Sequence, residues 1–197
     1  MTKDLFEFDK AIDVTALAGI DEAGRGPLAG PVVVACCIMP LDEMVDKIND
    51  SKKVSEKNRE KLFDVIKEKS HYSISIVSAE MIDEINILQA TKLAMCECLD
   101  KIDPKPELTL IDAVKLDVPY NTRSIIKGDA TSYNVAAASI LAKVTRDRIM
   151  RELDVRYPEY GFAKHKGYGT AEHIAALKKY GPCPEHRRTF IGHFVEV

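Results

Sequence analysis

The amino-acid sequence predicts an α/β protein in which a mixed β-sheet is flanked by helices and followed by a small helical C-terminal region. Strand-like apolar segments cluster near the start of the chain, helical periodicities alternate with strands after them, and no repeat or flexible linker interrupts the pattern. The length of 197 residues suits one structural domain. Within it we predict a core over residues 1–160 and a C-terminal helical region over residues 161–197, packed on that core.

The predicted strands are short apolar or alternating segments. They occupy residues 17–20, 32–39, 72–77, 108–111 and 124–126. The run at 32–39 is apolar throughout, as in a strand buried on both faces, whereas the run at 72–77 alternates and suits a half-buried strand. A loop rich in Gly and Pro separates the first two strands.

The predicted helices have apolar residues at helical spacing. They occupy residues 56–68, 78–102, 131–156 and 171–180. Ser55 and Thr170 are suitable N-caps, and Gly181 with Pro182 stops the last helix. We expect a break near Asn86 in the second helix.

Composition indicates a folded protein without a membrane segment. Hydrophobic residues make up 46% and charged residues 30%, and no apolar run approaches the ~20 residues of a spanning helix. The first residues do not resemble a signal peptide, so we expect a cytoplasmic protein. The net charge of −3 divides unevenly into −8 over residues 1–120 and +5 over residues 121–197. The positively charged second part could bind an anionic partner, although a chance distribution of charged surface residues explains this difference equally well.

Four carboxylates stand at the ends of predicted strands, where core residues are not expected. Asp21 and Glu22 follow the first strand, and Asp112 and Asp129 lie close to the ends of two others. If these strand ends converge, the negative charges repel one another unless cations lie between them. Hard oxygen ligands favour Mg²⁺ or Mn²⁺, and two such ions can activate water and stabilise a leaving oxygen in phosphodiester hydrolysis.

Each acid taken alone has a simpler interpretation as a capping or solvated carboxylate. Asp129, for example, could favour the positive end of the helix that follows it. Asp21 and Glu22 raise a further geometric question, because consecutive strand residues face opposite sides of a sheet. We therefore predict that the first strand ends or bends at this pair.

Gly24, Arg25 and Gly26 follow the acidic pair directly. The two glycines let the main chain approach a ligand closely while the guanidinium reaches a phosphate, although a tight turn with a solvated Arg25 is the alternative. The segment after the loop reads as a strand, which disfavours a dinucleotide-binding motif, and no P-loop signature is present.

Further candidate contacts to an anionic substrate lie in loops or on polar helix faces. Tyr168 stands between two glycines and could stack on a base or sugar, or fold into the core. His165 precedes it and is either structural or directed at the substrate. The basic candidates, each of which could equally be a solvated surface residue, are Lys52, Lys53, Lys143 and Arg146.

With these residues identified, the chain from about residue 18 to residue 190 resembles type 2 ribonuclease H, the bacterial ribonuclease HII family. The segments that carry the resemblance are GIDEAGRGP at 19–27, DSKK at 50–53, IDA at 111–113, KGDA at 127–130, AAASILAKVTRD at 136–147 and HKGYGT at 165–170. Their order and joint presence make a chance match a poor explanation. Ala113 departs from the glycine expected in many relatives, and the chain lacks the N-terminal extension of ribonuclease HIII.

The resemblance implies a ribonuclease H-like sheet and an endonuclease that cuts RNA in RNA:DNA hybrids and on the 5′ side of ribonucleotides embedded in duplex DNA. It implies that Asp21, Glu22, Asp112 and Asp129 bind two Mg²⁺ or Mn²⁺ ions. The Gly24–Gly26 segment would sense the ribose 2′-hydroxyl, and Tyr168 would pack on the following deoxyribose. Lys52, Lys53, Lys143 and Arg146 would contact phosphates.

Two other functions stay open at this point. A non-catalytic hybrid-binding module would keep the sheet and the basic surface, and a related nuclease could act on DNA junctions. We expect a monomer without a membrane partner. The short tail after Phe190 shows no persuasive clamp-binding segment, which leaves a replication-clamp partner open.

Overall fold

A computed structural model describes residues 2–112, 116 and 118–196. At its centre is a mixed five-stranded sheet with the strand order β3-β2-β1-β4-β5. The strands are β1 (Leu17–Ala23), β2 (Val32–Ile38), β3 (His71–Val77), β4 (Leu108–Asp112) and β5 (Thr122–Ile125). The first three strands pair antiparallel, whereas β4 and β5 run parallel to β1.

Helices cover both faces of this sheet and form the C-terminal region. They are α1 (Thr2–Lys10), α2 (Glu56–Lys69), α3 (Ala79–Ile85), α4 (Ile87–Lys101), α5 (Tyr133–Arg156), α6 (Phe162–His165), α7 (Ala171–Tyr180) and α8 (Arg188–Ile191). Asn86 separates α3 from α4, and its side chain accepts hydrogen bonds from the first main-chain amides of α4, so the predicted break is confirmed. The N-terminal helix α1 was not predicted.

The sheet buries a separate apolar core on each face. One core forms between β2 and α5 and includes α1 and α2, and the other packs β2 and Ile20 against α4. Cys36 and Cys37 belong to different cores, as expected for neighbours on a strand buried on both faces. The helix α5 is buried over most of its first half, which accounts for its many alanines, because small side chains let it lie directly on β1.

The strand β1 differs from the prediction. It neither ends nor bends at Asp21 and Glu22, because its pairing with β2 continues regularly through Ala23. Among the described residues, the parallel pairing with β4 extends to Ile20. Asp21 and Glu22 point to opposite sides of a regular strand, yet both line one cavity at the end of β1, so no bend is needed to bring them together.

Two other local features also depart from expectation. The buried face of β3 carries Ser73, Ser75 and Val77, whereas Ile76 is exposed. The two serines are buried because their hydroxyls donate to the main-chain oxygen of Cys98 and to the carboxylate of Glu97 in α4. Asp129 lies not at a strand end but in a short 3₁₀ turn, Gly128–Ala130, between β5 and α5.

The C-terminal segment packs against the loop between β1 and β2. Ala29 of this loop forms an isolated antiparallel bridge with His186, and Leu28 packs with Leu177 and Ile191. In the described part of the chain, no helix combines the length and apolar character needed to cross a membrane.

Candidate active site

A cavity of about 440 Å³ opens where β1 continues past the end of β4. The four predicted carboxylates, Asp21, Glu22, Asp112 and Asp129, all line it. They come from β1, the end of β4 and the turn before α5. The fold therefore brings together acids that lie up to 108 positions apart in the chain, which is the convergence that the sequence predicted.

Hydrogen bonds hold these carboxylates in place. The main-chain amide of Gly128 donates to Asp112 Oδ1 at 2.8 Å, which ties the end of β4 to the turn that carries Asp129. Arg25 Nη1 donates to Glu22 Oε1 at 3.3 Å. On the other face of β1, the Ser139 hydroxyl of α5 favours the charged form of Asp21 and so partly lowers its pKa.

The carboxylates raise one another's pKa values. Burial and the charges of Glu22 and Asp112 hold the pKa of Asp21 well above its usual value. Burial also raises the pKa of Glu22, although the nearby Arg25 partly opposes the shift. Burial and the charge of Asp50 raise the pKa of Asp129. Without a cation, the site therefore carries more negative charge than its surroundings favour.

These residues fit divalent cations as ligands. The Oε2 atom of Glu22 is buried and has no hydrogen-bond partner within the described part of the chain, which is costly for a carboxylate unless a cation binds it. All four donors are hard oxygens. Among residues 2–112, 116 and 118–196, no three His, Cys, Asp or Glu side chains are close enough to enclose a metal ion by themselves. Hard oxygen ligands suit an ion such as Mg²⁺, which keeps waters and takes substrate oxygens.

The glycine loop and Tyr168 form one side of the cavity. Gly24, Arg25, Gly26 and Tyr168 all line it. Gly24 has a φ of +101°, a conformation that favours glycine. A Cβ placed on Gly26 would lie 3.7 Å from the Tyr168 ring, so the ring stands directly beside this part of the loop. Tyr168 is 47% exposed, which rules out the alternative that it folds into the core.

Arg146 lines the cavity, but its side chain is also held firmly by the surrounding main chain. It is 1% exposed, and its guanidinium donates to the main-chain oxygens of Pro31, Lys166 and Ala29 at 2.9–3.1 Å. These bonds use three of the five N–H groups of the guanidinium to join two loops, and the predicted phosphate contact of Arg146 stays a prediction. The sequence could not reveal these bonds, because the accepting carbonyls come from segments distant along the chain.

His165 is also structural rather than directed at the substrate. It is buried, and both ring nitrogens are occupied, since Nδ1 accepts from the Gly167 amide and Nε2 lies 2.8 Å from the main-chain oxygen of Tyr160. His165 therefore supports the loop that carries Tyr168 and does not line the cavity.

The three lysines have different surroundings. Lys52 lines the cavity and its Nζ lies 3.8 Å from Asp129 Oδ2. Burial disfavours the charged form of Lys52, but the negative charges of the surrounding acids outweigh this effect and raise the pKa of Lys52. Lys143 also lines the cavity, where it pairs with Asp147 at 2.7 Å. Lys53 Nζ lies 3.8 Å from Asp50 Oδ2. Their predicted phosphate contacts stay predictions.

Several residues at the site were not predicted to belong to it. Ser51 and Ser139 line the cavity, and their hydroxyls are 2.9 Å apart. Arg187 is fully buried and donates to the main-chain oxygens of Gly24 and Arg25. Ser51 lies inside a segment that carried the resemblance, so it could have been chosen. No local sequence pattern identifies Arg187 as a site residue, because the main-chain oxygens that accept its hydrogen bonds lie more than 150 residues earlier in the chain.

Comparison with known proteins gives a consistent result. Residues 18–196 match the family model described as Ribonuclease HII. A ribonuclease HII from Ruminiclostridium cellulolyticum is 57% identical over 182 residues, which cover 91% of this chain and 71% of that protein. The crystal structure of ribonuclease H2 from Pyrococcus horikoshii superposes with a TM-score of 0.76 at 29% identity, covering 89% of this chain and 93% of that one.

A second archaeal structure, that of the complex between PCNA and ribonuclease HII from Archaeoglobus fulgidus, has a TM-score of 0.73 at 29% identity. It covers 87% of this chain and 93% of that one.

The fold and the acidic cavity define a nuclease of the ribonuclease H class, a divalent-metal-dependent group that acts on RNA:DNA hybrids. The chain belongs to the ribonuclease HII family. It is therefore an endoribonuclease, and the alternative of a non-catalytic binding module no longer applies.

Proposed function

We propose that this enzyme hydrolyses the RNA strand of RNA:DNA hybrids and nicks duplex DNA on the 5′ side of embedded ribonucleotides, leaving 5′-phosphate and 3′-hydroxyl ends. Its cellular roles would be removal of misincorporated ribonucleotides and of primer RNA. The strongest support is the single cavity in which four carboxylates face a glycine loop and an exposed tyrosine. One wall suits metal-assisted hydrolysis and the other suits recognition of a sugar.

Asp21, Glu22, Asp112 and Asp129 would hold two Mg²⁺ or Mn²⁺ ions. Such ions supply an activated water and stabilise the charge that develops on the leaving 3′-oxygen. The chain contributes the placement of the ligands. The Gly128 amide orients Asp112, and Arg25 orients Glu22.

Recognition of the junction between RNA and DNA would fall to the opposite wall. Gly26 has no side chain to keep a sugar at a distance, and a Cβ there would meet only the Tyr168 ring. The main chain at Gly26 can therefore approach a 2′-hydroxyl, the group that separates ribose from deoxyribose. Tyr168 presents a half-exposed ring beside Gly26, where it could pack on the next sugar. Lys52 and Lys143 line the same cavity and would meet the phosphates.

Replacing Asp112 tests the catalytic assignment. Asp112→Asn keeps the size of the side chain but removes its charge, and we expect nicking of a duplex with one ribonucleotide to fall ~10³-fold or more while binding of the duplex persists. Asp64→Asn, at an exposed position of α2, serves as the matched control and should cleave normally. Near-normal cleavage by Asp112→Asn would reject the assignment, and cleavage of an all-DNA duplex would favour the DNA-junction nuclease.

Replacing Tyr168 tests the recognition assignment. Tyr168→Ala should lose much more activity on the single-ribonucleotide duplex than on a uniform hybrid, because only the former places a deoxyribose directly after the ribonucleotide. Tyr180→Ala removes a tyrosine of similar exposure outside the cavity and is the control. Equal losses of activity on the two substrates would remove the junction role.

A further inference from the structure

Three histidines form a buried column beneath the loop that carries Tyr168. His173 and His186 have at most 1% of their surface exposed, and His165 has 8%. The rings of His165 and His173 stack with centroids 4.5 Å apart, and His173 Nε2 lies 3.0 Å from His186 Nε2. None of the three lines the cavity, so the proposed chemistry leaves them without a role.

The hydrogen bonds at the two ends of this column determine where its protons lie. At one end, the Cys183 main-chain amide donates to His186 Nδ1 at 3.0 Å, so this nitrogen carries a lone pair. At the other end, His173 Nδ1 lies 2.9 Å from the main-chain oxygen of Tyr168. A carbonyl oxygen only accepts, so His173 Nδ1 carries a proton.

The contact between the two rings then has one consistent assignment. A neutral His186 with an unprotonated Nδ1 carries its proton on Nε2, and a neutral His173 with a protonated Nδ1 has a lone pair on Nε2. His186 Nε2 therefore donates to His173 Nε2. The Cys183 amide thus donates to His186, His186 donates to His173, and His173 donates to the main-chain oxygen of Tyr168.

His165 supports the other side of the same loop in a similar way. The Gly167 amide donates to His165 Nδ1 at 3.2 Å, and Nε2 donates to the main-chain oxygen of Tyr160. The main-chain oxygen of His165 accepts from the Tyr168 amide at 3.0 Å. Both main-chain polar groups of Tyr168 are thus bound to this histidine cluster.

An additional proton has no strong acceptor within this arrangement. On His173 it would face the N–H of His186. On His186 it would face the amide of Cys183, where the other nearby group is the weakly accepting thiol of the same cysteine, whose Sγ lies 3.1 Å from Nδ1. Burial lowers the pKa of His186 to about 4, and His173 and Arg188 oppose its charge further. Burial and His165 also lower the pKa of His173. The remaining groups around the cluster are Tyr160, Glu172, Cys183 and Glu185, of which Glu172 is paired with Lys164 at 2.6 Å.

We propose that His173 is a positioning residue, which together with His186 holds the main chain at Tyr168 so that the tyrosine ring stands beside Gly26 at the cavity. This role rests on the proposed function of Tyr168 at the junction. His173 does not touch the substrate. It acts through one hydrogen bond to the peptide that carries the recognising ring.

A first test is spectroscopic and independent of activity. Long-range ¹H–¹⁵N NMR spectra of the full chain should show the ring proton of His173 on Nδ1 and those of His165 and His186 on Nε2. His173 should also stay neutral at pH values around 6.5, the usual histidine pKa. The exposed His71 and His193 provide internal references. A proton on Nε2 of His173, or protonation of His173 near pH ~6.5, would overturn the proposal.

A second test uses the ratio of kcat/KM on the single-ribonucleotide duplex to kcat/KM on a uniform hybrid. In His173→Gln the amide nitrogen reaches the place of Nε2 and cannot replace Nδ1, so the ratio should fall up to about tenfold, which corresponds to one lost hydrogen bond. His173→Asn can place its amide nitrogen near the position of Nδ1 and should restore much of the ratio.

Phe162→Leu is the matched control, because Phe162 packs edge-on to His173 but makes no hydrogen bond to the loop through its ring. It should lower Tm without changing the ratio, and an equal change in ratio would overturn the positioning role. If wild type cleaves the uniform hybrid but His173→Gln keeps the wild-type ratio, this inference fails alone. If wild type cleaves neither substrate, the proposed function fails.

Discussion

The Nη2 atom of Arg187 lies 2.6 Å from the main-chain oxygen of Gly24, joining residues 163 positions apart. The same guanidinium donates to the main-chain oxygens of Arg25 and Gly30 at about 3.0 Å. Together with the bridge between Ala29 and His186, these bonds attach the glycine loop to the C-terminal segment. The wall proposed to recognise the sugar is therefore shaped by residues near the end of the chain.

Gly24→Ala should destabilise the protein. The φ of +101° is unfavourable for alanine, and the added Cβ would meet the Arg146 side chain and lie 2.7 Å from the main-chain oxygen of Pro31. Backbone strain and overpacking each cost ~1–3 kcal/mol, so we expect a clearly lower midpoint in urea unfolding.

Gly26→Ala is the matched comparison for stability in the same loop. Its Cβ would find only the Tyr168 ring, 3.7 Å away, and its φ lies outside the left-handed region. The free energy of unfolding should change by less than ~0.5 kcal/mol. Equal stabilities of the two alanine variants would contradict the role assigned to Gly24.

Lys52→Ala should weaken substrate binding mainly through electrostatics. Its Nζ lies at the cavity near Asp129, and a lysine that contacts one phosphate contributes a slope of about −0.9 to the dependence of log K on log salt. Measured by fluorescence anisotropy in the Asp112→Asn background, where the substrate stays intact, the variant should show a slope flatter by ~1.

Lys53→Ala provides the neighbouring control for this measurement. Lys53 does not line the cavity, and its ammonium group pairs with Asp50. Its loss should change the salt slope less than the loss of Lys52 does. A larger effect from Lys53→Ala would mean that the substrate approaches from a different direction.

The metal-free protein should lose stability as the pH rises. The pKa of Asp21 is well above its usual value in the folded state, so the protonated form is favoured by folding. Its stabilising contribution is complete below the unfolded pKa of ~3.9 and is lost as the pH passes upward through the raised value. In EDTA, Tm should therefore fall with rising pH above ~4, and Asp21→Asn should show a weaker fall.

Adding Mg²⁺ at neutral pH should raise the Tm of wild type, because a ligand that binds only the folded state stabilises it. The increase should be smaller for Asp21→Asn. If instead, in EDTA, the Tm of Asp21→Asn falls with rising pH as steeply as the Tm of wild type, the pH dependence of stability does not come from Asp21.

The sequence alone determined the features that depend on local patterns. Apolar periodicity located the five strands and most helices, and Asn86 and Thr170 marked helix boundaries. The acids at or near the ends of predicted strands indicated the cavity. These signals are readable because strand alternation, helix caps and turn residues act over a few neighbouring positions.

Only the tertiary structure decided which polar residues line the cavity and which support the loops. Arg146 and His165 resemble surface residues in sequence but are buried, because their hydrogen-bond partners lie on segments that come together only after folding. The strand β1 stays regular at Asp21 because its antiparallel pairing with β2 continues through Ala23. Burial and long-range hydrogen bonding depend on the whole fold, so they cannot be predicted from a local sequence pattern.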